Sequence, residues 1–122
     1  MSGRPVTVVL WLVTAWEVLT MGVAGLSKFG NADFWTSSFV AWGYPPWMSS
    51  VIGALEIAGA LALLVPVAAI GGAGLLVAIM AVALVTVLTQ PNTLGWAAPV
   101  MHLVLLSFIV WVRLARRRLP AR

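Results

Sequence analysis

The side chains able to do chemistry in this chain are few: Glu17, Asp33 and Glu56 are the only acids, His102 is the only histidine, and there is no cysteine. Glu17 and Glu56 each fall near the centre of an apolar stretch long enough to cross a bilayer. A carboxylate placed there lacks hydrating water, so it must find a partner, line a wet cavity or take up a proton. The chemistry on offer is therefore proton exchange or charge pairing inside a membrane.

Neighbours on each helix indicate where these groups face. Thr14, Glu17 and Thr20 are spaced three apart, and Lys28 follows Glu17 by eleven residues, three turns later at nearly the same azimuth. That is a polar stripe running from mid-helix to one end. Glu56 has Gly53, Gly59 and Ala60 at i−3, i+3 and i+4, small residues that let a neighbouring backbone come close, so it is expected to point inward. His102 sits among Ala98, Pro99, Leu105, Leu106 and Ile109, a pattern more typical of a packed histidine than of a ligand. For both glutamates the structural alternative is a neutral acid bonded to Thr14, Thr20 or a carbonyl, fixing helix register. Trp16, Trp35 and Trp47 are further candidates, for contact with lipid or another apolar partner.

The elements that must position these groups follow from composition. The chain is 62% hydrophobic and 8% charged, with no Asp, Glu, Lys or Arg between Ile57 and Val112. Its mean hydropathy is +1.07. Such a composition belongs to a membrane protein and leaves no room for a soluble catalytic domain. An all-α fold is expected, a four-transmembrane-helix bundle in one membrane domain, with spans at about 6–26, 46–65, 67–89 and 96–114. The first segment is too long for a typical signal-sequence core and contains Trp11, Trp16 and Glu17, so it is read as a retained helix. Pro45 and Pro46 introduce the second span, Pro66 ends it, and Gln90, Pro91 and Asn92 close the third. Gly71, Gly72 and Gly74, with the alanines that follow, suit tight packing rather than chemistry.

Between the first two spans, residues 31–44 carry Trp35, Phe39 and Trp42 at i, i+4 and i+7. A short interfacial helix is expected there, capped by Asn31 with Asp33 in its first turn, its aromatic stripe serving as a lid or as an ordinary aromatic belt. Thr86 and Thr89 could reach His102 or this linker, although such threonines more often bond their own backbone.

Helical rise puts Glu17 and Glu56 roughly 16 and 14 Å inside the bilayer, near the midplane, with His102 about 9 Å inside the outer boundary, one or two turns above them. Arg4 lies at one end of the spans together with Arg113, Arg116, Arg117, Arg118 and Arg122, the last five around a basic tail at 115–122, while the opposite side holds only Lys28. Both termini are thus expected to be cytoplasmic, in a multi-pass protein of the cell membrane. The same rule and anionic headgroups explain the pI of 11.3 without nucleic acid. One histidine and two buried glutamates make no haem or zinc site within one chain, although His102 from two subunits could share a cofactor.

The run MGVAGLSKFG, the approach FVAWGYPPW, the core IGALEIAGALALLVP and the segment GAGLLVAIMAVALVTVL, together covering about Met21 to Leu88, resemble the DoxX-like family of small four-helix membrane proteins. The more diagnostic pieces are Gly25, Lys28 and Gly30, and Gly53, Glu56 and Gly59. The resemblance implies association with quinone-linked oxidoreductases or membrane redox-stress complexes, and Lys28 and Glu56 match its pattern, whereas Glu17 has no assured place in it. No intrinsic cofactor is expected, so electron transfer would need a partner.

Three readings follow. The one taken forward is a non-catalytic subunit of a larger membrane redox complex that contributes a wall of a quinone pocket. The second is a small proton-coupled transporter using Glu17 or Glu56. The third is a structural or assembly protein whose acids lock the bundle. Partners are the lipid bilayer and other membrane subunits or further copies of the chain.

Overall fold

A computed structural model describes residues 3–91, 93 and 95–118, and among these all regular structure is helical. The helices are α1 (Arg4–Gly30), α2 (Ala32–Ala41), α3 (Met48–Leu63), α4 (Ala69–Thr89) and α5 (Ala97–Arg117). Asn92, Leu94 and the end of the basic tail, including Arg122, lie outside the described residues.

Helix limits follow local chemistry. Pro5 occupies the first turn of α1, where its missing N–H costs nothing. The helix runs four residues past the expected end at Leu26, reaching Gly30, because Lys28 stays inside the bundle rather than marking its edge. Asn31 takes the cap position of α2 as expected, but its side chain makes no capping bond; its backbone N–H donates instead to the Ser27 carbonyl at 2.8 Å. Gly43, with φ at +91°, turns the chain between α2 and α3 where an L side chain would be strained. α3 stops at Leu63, ahead of Pro66, whose ring disfavours helix in the residue before it.

The four longer helices form a ring in which α1 packs on α3 and α5, and α4 closes it against the same two. Glycines set the two closest crossings. A Cβ on Gly25 would lie 2.7 Å from the Gly53 carbonyl oxygen, and one on Gly72 would lie 2.9 Å from that of Gly59. Backbones can meet only because side chains are absent there, which is how membrane helices gain packing energy without a hydrophobic driving force between them.

Polarity is distributed inside out. The buried polar side chains are Thr14, Glu17, Lys28, Ser49, Glu56, Thr86 and His102, whereas Leu12, Leu19, Leu26, Leu61, Leu88 and Val104 are each about 60% exposed or more. Water would not tolerate that surface, but lipid would. α1, α4 and α5 are long and apolar enough to cross a membrane, while α3 is a shorter apolar helix of 16 residues, so three spans rather than four are established by length.

Candidate functional site

The face of α1 that turns inward carries Leu10, Thr14, Glu17, Met21, Gly25 and Lys28, each three or four residues from the next. Glu17 is fully buried and its Oε2 lies 2.6 Å from His102 Nδ1 on α5. Lys28 Nζ lies 2.7 Å from Glu56 Oε1 on α3, with both side chains less than 8% exposed. Each buried acid therefore has its own base, contributed by a different helix. The close crossing at Gly25 and Gly53 brings the second pair together, since a Cβ on Gly53 would lie 2.9 Å from Lys28 Cβ and one on Gly25 3.2 Å from Glu56 Cβ.

The same crossing corrects the expected depths. Glu17 lies eight residues below Gly25 and Glu56 three below Gly53, so the two acids differ in height by roughly 8 Å rather than sharing one plane. His102 is level with Glu17 rather than above it. It is only five residues into α5, whereas Glu17 is thirteen from the end of α1, so α5 begins well below the level where α1 ends. The sequence estimate assumed that all helices start at one boundary.

The threonines mostly satisfy themselves. Thr14 Oγ1 donates to the Leu10 carbonyl at 2.7 Å, and Thr20 to that of Trp16 at 2.8 Å, leaving only a long 3.4 Å contact with Glu17 Oε2. Thr89 likewise bonds Val85. Thr86 is different, for besides its own backbone it hydrogen-bonds the hydroxyl of Tyr44 in the linker.

Between the helices lies a cavity of about 240 Å³. Lys28, Glu56 and His102 line it, along with Met21, Ile52, Ile79, Met80 and Thr86. Trp35, Phe39, Trp42 and Tyr44 cover it from α2 and the following turn. These rings form a continuous chain, with centroids 6.3 Å apart for Trp35 and Phe39, 5.6 Å for Phe39 and Trp42, and 5.8 Å for Phe39 and Tyr44. Lys28 Nζ sits 4.3 Å from the Trp35 centroid, a cation–π contact that fastens the cover to the ion pair below. A 3.4 Å contact between Thr36 and Ser49 ties α2 to α3.

Of the residues proposed from sequence, Lys28, Glu56, His102 and Trp35 meet at this cavity, and Glu17 stands behind His102. Trp16 and Trp47 do not, being 46% and 63% exposed on the outside of the bundle. Phe39 and Trp42 were visible in sequence as a stripe, but Tyr44 and Met80 carried no sequence signal that would place them here. Among the described residues no group of three His, Cys, Asp or Glu side chains could hold a metal ion.

An all-helical chain with a lipid-compatible exterior and Glu17, Lys28, Glu56 and His102 buried inside is a small multi-pass membrane protein. It belongs to the DoxX-like family, whose model matches residues 12–109. That match extends beyond the resembling stretch at both ends and takes in Glu17 and His102. No curated protein and no solved structure matches the chain.

Proposed function

We propose that this chain crosses the membrane four times, with α2 lying at the interface, and that its covered cavity accepts the headgroup of an isoprenoid quinone as one wall of a quinone pocket in a larger membrane redox complex. The observation carrying this reading is the cavity itself: an apolar space in which an ammonium, a carboxylate and an imidazole meet beneath a sheet of aromatic rings. Such a lining suits a flat ring with polar carbonyls at its edge and an apolar tail. Lys28 and His102 offer donors to carbonyl oxygens, Glu56 can accept or return a proton, and Trp35 provides a face for stacking. Within the chain no group carries electrons, so a partner subunit supplies oxidation or reduction.

Binding of a labelled short-tail ubiquinone analogue to the purified protein in nanodiscs tests this. Saturable binding is expected, weakened about tenfold or more by Lys28→Gln through loss of a charge-assisted hydrogen bond. An absence of saturable binding, or equal binding by Lys28→Gln and Trp35→Ala variants, would overturn it.

A second reading, proton-coupled transport, is favoured by the stagger of the two acid–base pairs, which forms a ladder along the bundle rather than a single layer. It requires proton-dependent substrate exchange that disappears in Glu17→Gln or Glu56→Gln.

A further inference from the structure

The two buried pairs account for one end of the bundle and leave the other unexplained. There the turn between α3 and α4 and the last turns of α5 enclose a second recess of about 190 Å³, lined by Pro66, Ile70, Arg113, Arg116 and Arg117. Among the described residues, three guanidinium groups line it and no acidic side chain does. Arg116 is held in place by a 2.6 Å bond from its Nη2 to Thr7 Oγ1 on α1. Arg113 packs against the Trp11 ring, its guanidinium carbon 5.1 Å from the ring centroid.

Arg113 is the informative residue. Its Nε and Nη2 are both shut off from solvent, yet neither has a hydrogen-bond partner among the described residues. These two N–H groups share one edge of the guanidinium, the edge that makes two parallel bonds to a phosphate or carboxylate. Leaving both donors of a charged group unmet is costly, and an anion held on that edge would meet both at once.

We propose that this recess binds the phosphate of an anionic lipid headgroup, with Arg113 gripping two of its oxygens and Arg117 adding a second positive charge. Position favours a lipid over a soluble anion. Arg116 is bonded to Thr7, three residues into α1, so the recess lies at the end of the bundle where α1 begins and α5 finishes, where headgroups meet the helix ends. Val65 and Val67, flanking Pro66, are 48% and 81% exposed and offer apolar surface to the acyl chains. The three arginines of the recess lie beyond the family match, which ends at residue 109.

Native mass spectrometry of the protein released from mixed phosphatidylglycerol and phosphatidylcholine nanodiscs reads the site. One phosphatidylglycerol should be retained in preference to phosphatidylcholine, and Arg113→Ala should reduce that retention about fivefold, the effect of one cation at a lipid surface. Arg113→Lys, which keeps the charge but loses the two-pronged edge, should restore only part of it, and Arg118→Ala, outside the recess, none of the loss should appear. Should Arg113→Ala fail to fold, Arg117→Ala carries the same expectation from a more exposed position. Equal retention of both lipids, or unaltered retention in Arg113→Lys and Arg117→Ala, would overturn the proposal. Displacement of the lipid by millimolar inorganic phosphate would also overturn it, assigning the recess to a free anion.

Discussion

At the scale of single residues, two acids buried in an apolar bundle each meet a base from another helix. Removing one member leaves the other uncompensated, so Lys28→Met should destabilise the protein by about 3–5 kcal/mol. The double variant Lys28→Met/Glu56→Met should recover most of that loss, because apolar side chains of similar volume replace a buried pair at little cost. Reversible unfolding in mixed micelles would measure both; a double variant whose loss equals the sum of the two single losses would mean that the pair is not coupled. Glu17→Gln should cost only about 0.5–1.5 kcal/mol, since an amide oxygen still accepts from His102 Nδ1. A loss as large as that of Lys28→Met would show that charge, rather than the hydrogen bond, holds His102.

The acids and Lys28 were legible in the sequence as an inward stripe, but their partners were not. Azimuth along one helix tells which residues share a face; it says nothing about what a different helix brings opposite. Lys28 was expected to extend the stripe of Glu17, whereas the Gly25 and Gly53 crossing delivers it to Glu56. His102 looked like a packing residue because all its helical neighbours are apolar, and its partner comes from a helix eighty-five residues earlier.

At the scale of helices, composition and proline placement pointed to the four longer helices and the aromatic stripe to α2, three of the four being long enough to span. Depth was not, because helices need not begin at a common plane, and only their contacts reveal the offset. The critical contact is the meeting of α1 and α3. Gly25→Ala places a carbon 2.7 Å from a backbone oxygen and must push the two helices apart, whereas Gly22 has open space around it. Gly25→Ala should therefore destabilise by about 1–3 kcal/mol while Gly22→Ala is neutral or slightly stabilising. Thermal unfolding of the two variants side by side decides it, and equal midpoints would count against a tight crossing.

For the molecule as a whole, the contact of Thr7 with Arg116 puts the start of α1 and the end of α5 at the same end of the bundle. The proposed orientation sets that Arg-rich end in the cytoplasm. Reporters fused to either terminus should then be active only in the cytoplasm, and a reporter after Asn31 only outside; signals from the two termini on opposite sides would rule out four crossings.

The brevity of α3 has a consequence for where such a protein settles. Sixteen residues of helix rise about 24 Å, some 6 Å less than an average hydrocarbon core, while α1 beside it rises about 40 Å. With α3 crossing as proposed, the bilayer would have to pinch along one flank of the molecule, and the deformation would be relieved by thin membranes or by a neighbour whose own short segment shares the dimple. Nanodiscs made from lipids of increasing chain length should lower its unfolding temperature steadily, and indifference to thickness would mean that the polar turns at either end of α3 are themselves drawn into the hydrocarbon.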